Sequence, residues 1–234
     1  MIGISVTVGS SLPHLGAVPL FQALDAAERS VLAPLCRVRV YDRGETIFEE
    51  GVTAVDLSFV VLGRAKIVKA AQGRDLILGL FGPGEAIGAF AAMEGKSYPA
   101  TAVALEPTTV LHVPERSFFS ILAEHPQMTR RLLQGLMLRQ MELTRRLADL
   151  TGPVEYRIGR LLLTLAERMD KHAGESAEIP FTLSRQEIAD LTATTIETAI
   201  RVMSRWGKEG LVATHPRGFS IPDVAALRKH IEET

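Results

Sequence analysis

The chain has 234 residues, which is enough for one large domain or for two modest domains that each bury a core. Hydrophobic residues make up 47%, charged residues make up 23%, and the formal net charge is -1. A surface that is basic throughout is therefore excluded, and any contact with nucleic acid must be local. The single cysteine, Cys36, excludes an internal disulfide, a cysteine-based zinc site and a protein-held iron–sulfur cluster.

Residues 1–19 are low in charge and rich in Gly, Ser and Pro, which predicts a loose lead-in. They carry no Lys or Arg, so they do not match a secretory signal. No apolar run approaches the roughly eighteen residues that a membrane-spanning helix needs. We therefore expect a soluble protein of a reducing cytoplasm that has no membrane partner.

The next two segments differ in their hydrophobic period. Residues 20–36 place apolar residues at helical spacing, namely Phe21, Leu24, Val31, Leu32 and Leu35. Residues 37–114 contain short β-branched and aromatic runs separated by Gly, which is typical of a β-sandwich or barrel. Within this segment, two strands are predicted to meet at a turn around Gly63.

A long helix is predicted from 126 to 151. Pro126 suits the first helical turn, and two series of residues seven apart then interleave as the a and d positions of a heptad repeat. These heptad residues, which predict a homodimer interface, are Leu133, Leu136, Gln140, Leu143, Leu147 and Leu150. The alternative is a helix that packs on its own barrel through Met137 and Met141; both arrangements can hold, because opposite faces of the helix are involved.

Gly152 and Pro153 break this helix. The remaining residues predict an amphipathic helix from Val154 to about Met169, a loop around Lys171–Pro180, two short helices and a small β-wing.

The two short helices carry the most informative motif. Ser184 and Glu187 form a capping box, in which the hydroxyl and the carboxylate satisfy free N–H groups at the start of a helix. A turn at 192–194 follows, and Thr194 or Thr195 caps a second helix. The predicted inner face of that second helix is Ile196, Ala199, Ile200, Met203 and Trp206. Two short helices joined in this way make a helix-turn-helix, whose second helix enters the DNA major groove.

Glu197 and Arg201 lie four residues apart on one face of the second helix. Arg donates two hydrogen bonds to guanine, and Glu accepts one from the cytosine amino group. The alternative is that the two side chains pair with each other as a solvated salt bridge.

Affinity without sequence information comes from phosphate contacts. Arg205 and Lys208 on the second helix are expected to meet phosphates. The second helix is predicted to end at Gly210. Two strands around 215–218 then form the wing, with Arg217 at its tip, and Asp223 caps a last helix. The complete set of candidate DNA contacts is Ser184, Arg185, Thr194, Thr195, Ile196, Glu197, Thr198, Arg201, Arg205, Lys208 and Arg217.

From about residue 20 to its end the chain resembles the CRP/FNR family of bacterial transcription regulators. The resemblance rests on the motifs at 42–51, 59–63, 82–85 and 184–201. It implies an α+β fold: a cyclic-nucleotide-binding-like β-roll or jelly-roll barrel as the sensor (20–125), a long dimerisation helix (126–151) and a C-terminal winged helix-turn-helix (152–234). It also implies a homodimer on a pseudo-palindromic operator and RNA polymerase as a partner.

The resemblance is incomplete within the recognition helix. Ile200 stands where the FNR-like pattern has Ser, and Ile196 stands where the cAMP-type pattern has Arg. We expect half-sites with a TTG-like or TGA-like core and leave their outer bases open.

The effector pocket also departs from the cAMP-binding relatives. Gly88 matches, but Ala89 replaces a Glu, Tyr98 replaces an Arg and Pro99 replaces a Ser; Thr101 completes the candidate pocket residues. A buried phosphate without a guanidinium is very costly, and a loop ammonium such as that of Lys96 is a poor replacement. We therefore predict no productive cAMP binding and expect control by another effector.

Other effectors remain open. The resemblance includes haem-dependent gas sensors, and His14, His112, His125, Cys36 and Met93 are possible ligands, although each is better explained as an ordinary structural residue. A regulator without an effector is the remaining option.

Two further function classes are alternatives to a DNA-binding regulator. The sequence has no glycine-rich phosphate loop, no H-E-x-x-H motif and no nucleophile elbow, so we expect no enzyme. The other class is a protein-interaction module that uses the barrel and does not bind DNA. Salt-dependent operator binding separates it from a DNA-binding regulator.

Overall fold

The computed structural model describes residues 10–71, 74–169 and 175–233. The chain divides into two compact units, one ending at Leu138 and the other beginning at Arg139. In the described parts of the chain, no helix combines the length and the apolar character needed to cross a membrane.

The first unit begins with short helices. Helix α1 (Leu12–Ala17) is followed by a 3-10 turn, by α2 (Ala26–Leu32) and by a second 3-10 turn. The interpretation of residues 1–19 as a loose lead-in is wrong for the described part, since Leu15 and Val18 are fully buried in the core; residues 1–9 lie outside the described residues. The helical spacing of residues 20–36 is confirmed, but the segment is divided into a 3-10 turn, α2 and a second 3-10 turn, because the capping box of Asp25 starts a new helix there.

The strands of the first unit are β1 (Arg37–Tyr41), β2 (Thr46–Phe48), β3 (Asp56–Leu62), β4 (Ala65–Ala71), β5 (Arg74–Phe81), β6 (Ala86–Ile87), β7 (Thr101–Ala104) and β8 (Thr108–Pro114). They form two antiparallel sheets with the orders β1-β8-β3-β6 and β2-β7-β4-β5. This arrangement confirms the predicted barrel and the predicted turn at Gly63.

Three helices complete this part of the chain: α3 (Ala89–Met93) between β6 and β7, then α4 (Glu115–Glu124) and α5 (Pro126–Asp149). The core of the first unit gathers around Phe21, Phe59 and Phe118; the ring centroids of Phe21 and Phe59 are 5.1 Å apart. Helix α5 begins at Pro126 as predicted and buries Met128 in that core.

The second unit contains α6 (Val154–Met169), β9 (Ala177–Ile179), α7 (Arg185–Leu191), α8 (Ile196–Glu209), β10 (Ala213–His215), β11 (Gly218–Ile221) and α9 (Val224–Glu232). Its antiparallel sheet has the order β10-β11-β9. The prediction of a loop over 171–180 is wrong at β9, whereas residues 170–174 lie outside the described residues. As predicted, the Asp223 carboxylate caps α9 by accepting from the Ala226 N–H at 2.8 Å.

Candidate nucleic-acid interface

Helix α7 begins at the predicted capping box. The Ser184 hydroxyl accepts from the Glu187 N–H at 3.1 Å, and the Glu187 carboxylate accepts from the Ser184 N–H at 2.8 Å. The side chains of Ile188, Ala189 and Leu191 on this helix are buried, and this burial fixes the position of α7 for packing against the next helix.

The turn between α7 and α8 is held by local hydrogen bonds. The Thr192 hydroxyl donates to the Ile188 carbonyl at 2.7 Å, and the Thr194 N–H donates to the Ala189 carbonyl at 3.0 Å. Ala193 adopts φ +50°, which lets the chain reverse direction at this point. Thr195 caps α8, because its hydroxyl accepts from the Thr198 N–H at 3.3 Å. Of the two predicted caps, the structure therefore selects Thr195 over Thr194.

Helix α8 has one buried side, which packs into the second unit. Ala199, Val202, Met203 and Trp206 are buried, and the helix ends at Gly210 in the left-handed region. Two residues of the predicted inner face are placed incorrectly, because Ile200 is 46% exposed and Ile196 is only partly buried. Val202 takes the place of Ile200 in the core because the helical period centres the buried side near Ala199 and Trp206.

The opposite side of α8 faces solvent. We call the set Glu197, Ile200, Arg201, Ser204 and Lys208 the exposed face of α8. The N–H of Glu197 and the Thr195 hydroxyl bond to the Glu197 carboxylate and lower its pKa, so the group is charged at neutral pH. Among the residues that the structure describes, no ion pair links Glu197 to Arg201, which contradicts the alternative of a solvated salt bridge. Both side chains are therefore available to base edges.

Arg205 differs from its prediction as a phosphate contact. It lies on the side of α8 next to α6, where its guanidinium forms an ion pair with Glu155 and approaches Glu209 at 3.8 Å. A phosphate contact by Arg205 would first have to break these pairs. Lys208 remains exposed, as the phosphate role requires.

Arg185, another predicted DNA contact, lies between α7 and the wing. Its Nη2 donates to the Thr214 hydroxyl at 3.1 Å, and its guanidinium lies 5.9 Å from the centre of the Phe219 ring. Burial lowers the pKa of this guanidinium. The structure thus gives Arg185 a positioning role that the sequence did not show: it holds β10 and β11 against α7.

The wing is the hairpin of β10 and β11, with Arg217 exposed at its tip. Strand β9, which the sequence analysis missed, pairs with β11 and extends the sheet. Gly218 is required there, because its φ is +150° and a Cβ at this position would lie 1.9 Å from the Ile179 carbonyl oxygen. The apolar–charged–apolar alternation of Ala177–Ile179 is the sequence signal for β9, but three residues are too few to distinguish a strand from a loop.

The heptad leucines of α5 are exposed. Leu133, Leu136, Gln140, Leu143 and Leu147 face solvent, and Leu150 lies just past the end of the helix and is half-buried. Met137 and Met141 are also exposed, so the prediction that they form an apolar face packed on the barrel is wrong. An exposed row of leucines at heptad spacing favours a partner helix.

The candidate effector pocket is filled by the protein's own side chains. Gly88 has φ +67°, and a Cβ there would lie 2.5 Å from a Tyr98 ring carbon and 2.9 Å from Phe48. The Tyr98 ring stacks on Phe48 with centroids 3.8 Å apart and is 7% exposed. Burial raises the pKa of the Tyr98 hydroxyl, which therefore stays neutral. A neutral aromatic ring thus occupies the position that the family resemblance assigns to an arginine in cAMP-binding members.

The remaining pocket candidates are engaged locally. The Pro99 carbonyl accepts from the Lys69 ammonium at 2.8 Å, and the Thr101 hydroxyl accepts from the Glu50 N–H at 3.1 Å. Ala89 is the first residue of α3. The Lys96 ammonium, considered as a phosphate partner, pairs with Glu94 at 3.4 Å and lies 5.7 Å from the centre of the Phe90 ring.

The possible haem ligands have separate environments. The two ring nitrogens of His112 lie 3.1 Å from the Tyr41 hydroxyl and 2.9 Å from the Ser58 hydroxyl, and burial lowers the His112 pKa to about 4. The Cys36 thiol donates to the Leu32 carbonyl at 3.4 Å, and burial raises its pKa to about 12, which favours the inert thiol.

Three of those candidates lie on or beside different helices. The Nε2 atom of His125 lies 3.0 Å from a Glu28 carboxylate oxygen, whereas His14 lies on α1 and Met93 on α3. Within the described residues, no group of three or more His, Cys, Asp or Glu side chains is placed to hold a metal ion.

Comparison with known proteins matches both halves of the chain. Residues 38–125 match the family described as cyclic nucleotide-binding domain, and residues 156–230 match the Crp-like helix-turn-helix domain. The nitrogen fixation regulation protein FixK of Bradyrhizobium diazoefficiens is 30% identical over 208 residues, covering 88% of this chain and 86% of FixK. The transcriptional regulatory protein btr of Bordetella pertussis is 30% identical over 222 residues, covering 93% of this chain and 90% of btr. The chain belongs to the CRP/FNR family.

The solved structures agree with this assignment. A CRP-family transcriptional regulator from Thermus thermophilus is 30% identical and superposes with a TM-score of 0.68, covering 82% of this chain and 96% of that structure. In this CRP/FNR regulator, α7 and α8 are therefore the helix-turn-helix and α8 is its recognition helix. Its relatives are transcription regulators and not enzymes, which confirms the expectation from the missing catalytic motifs.

Proposed function

We propose that this CRP/FNR regulator binds a palindromic operator as a homodimer and responds to an effector other than cAMP. The observation that supports this best is the exposed face of α8. It presents a charged carboxylate on Glu197 and an exposed guanidinium on Arg201, four residues apart at the start of the recognition helix. These groups match cytosine and guanine in the major groove, and each such contact discriminates between bases by about 1–3 kcal/mol.

The exposed heptad leucines of α5 support the dimer. A helix with apolar groups at a and d positions is stabilised by a second copy of itself. Two copies related by a twofold axis bind two half-sites about 34 Å apart, one turn of DNA, so the operator becomes a pseudo-palindrome. RNA polymerase is the expected partner of the bound dimer by family resemblance, and the cytoplasm is its expected location.

The Tyr98–Phe48 stack supports an effector other than cAMP. A cyclic nucleotide carries a phosphate that needs a charged partner when it is buried, and Tyr98 supplies none. The ring also takes up the space next to Gly88. We expect isothermal titration calorimetry to detect no cAMP binding in the micromolar range.

Selection of binding sites from a random DNA pool tests the proposal. Purified ligand-free protein is expected to enrich a palindrome with TTG-like or TGA-like half-sites, and the Arg201→Ala variant is expected to lose that sequence preference. Enrichment of single half-sites would contradict the dimer. A pool that stays unenriched, both alone and with a small-molecule extract of the source cells, would contradict operator binding.

A further inference from the structure

The flank of the recognition helix that carries Ile196 and Ile200 is apolar, which the contacts assigned so far do not explain. Ile200 is 46% exposed, although its neighbours Ala199 and Val202 are buried. Ile196, one turn earlier on the same side, is partly buried. The other flank is polar, since Arg205 pairs there with Glu155.

Helical geometry places Ile200 within the exposed face of α8. Successive residues advance by about 100° around the axis, so Ile200 lies about 60° from Glu197, on the side away from Arg205. Ile200 also directly precedes Arg201. An element that brings Glu197 and Arg201 to base edges therefore brings Ile200 to the bases beside them.

The major groove offers one kind of apolar group to such a side chain. Each thymine carries a C5 methyl group in the groove, whereas the neighbouring base-edge groups are hydrogen-bond donors and acceptors. An isoleucine facing these polar edges would remove water from them without replacing the hydrogen bonds. Against a methyl group the same side chain buries apolar surface on both partners.

We propose that Ile200 is a specificity-determining residue that packs on the C5 methyl of one thymine in each half-site, next to the base pairs contacted by Glu197 and Arg201. This assignment rests on the proposed function, since it needs α8 in the major groove.

Replacement of single thymines by deoxyuridine in the selected operator tests the proposal, because uracil lacks only the methyl group. For the wild-type protein, one thymine position in each half-site is expected to lose about fourfold in affinity, the factor for burying one methyl group. Ile200→Ser is expected to abolish that loss, whereas Ile200→Val keeps an apolar contact and is expected to retain it.

The possible outcomes separate the inference from the proposed function. If wild-type protein does not distinguish the operator from scrambled DNA, operator binding itself fails. If it does distinguish them, but no thymine position is sensitive to deoxyuridine, the assignment of Ile200 is overturned. The assignment is also overturned if the Ile200→Ser variant is as thermally stable as wild type and still shows the full loss of affinity for the deoxyuridine operator.

Discussion

The exposed leucines of α5 give a quantitative prediction for the dimer. Leu136 and Leu143 are 45% and 39% exposed in the single chain. Fully burying a leucine contributes about 1.5–3 kcal/mol, so covering the exposed part of each side chain contributes about 1 kcal/mol. A symmetric dimer contains each leucine twice, and the Leu136→Ala/Leu143→Ala double variant is therefore expected to lose about 4 kcal/mol of association free energy. That loss raises the dimer dissociation constant about a thousandfold.

Sedimentation velocity over a dilution series measures this effect, and operator binding by the same samples shows whether dimerisation and DNA binding are linked. Leu138→Ala is the matched control. It removes a leucine that is 67% exposed on the same helix but lies outside the a and d positions. We expect this control to remain dimeric. A double variant that dissociates no more readily than wild type, or a control that dissociates equally, would refute the heptad interface.

Three further predictions concern the stability of the two units, and differential scanning calorimetry of the whole chain measures each of them. Tyr98→Ala removes a buried stacked ring and is expected to destabilise the sensor by about 3–5 kcal/mol, whereas Tyr98→Phe keeps the ring and should match wild type; equal stability of both variants would contradict the filled pocket. Gly218→Ala would place a Cβ 1.9 Å from the Ile179 carbonyl oxygen and is expected to cost more than Gly210→Ala, which also has a positive φ but meets nothing within 4 Å; the reverse order would contradict the wing geometry. Burial lowers the pKa of His112 from 6.5 to about 4 in the folded chain, so the unfolded chain binds the proton at a higher pH than the folded chain. The stability that His112 contributes is therefore complete above about pH 6.5 and falls as the pH drops toward 4. His112→Gln is expected to flatten this pH dependence, and an unchanged dependence would contradict the buried imidazole.

Features that depend on neighbouring residues were predictable from the sequence. The capping box at Ser184, the glycine that ends α8, the turn at Gly63 and the start of α5 at Pro126 are each decided within a few residues. Local hydrogen bonds and φ restrictions act at that range, and for this reason a sequence pattern reports them. The family motifs then combined these pieces into the correct fold class.

Features that depend on distant residues were not predictable. Leu15 and Val18 are buried because the core around Phe59 and Phe118 covers them, and nothing in residues 1–19 reports that cover. Arg205 pairs with Glu155, fifty residues earlier in the chain. The side on which Ile200 lies depends on how α8 packs, which an apolar pattern with several near-equal registers does not determine.

The central claim is that the exposed face of α8 recognises base sequence, and the ratio of operator affinity to scrambled-DNA affinity tests it most directly. Fluorescence anisotropy across a salt series would compare wild type with Arg201→Ala and Lys208→Ala. We predict that Arg201→Ala lowers the free energy of discrimination expressed by this ratio by about 1–3 kcal/mol per half-site, with little change in the affinity for scrambled DNA. In contrast, Lys208→Ala is expected to weaken binding to both duplexes equally and to reduce the slope of the salt dependence by about one per half-site. An unchanged ratio for Arg201→Ala would contradict the claim.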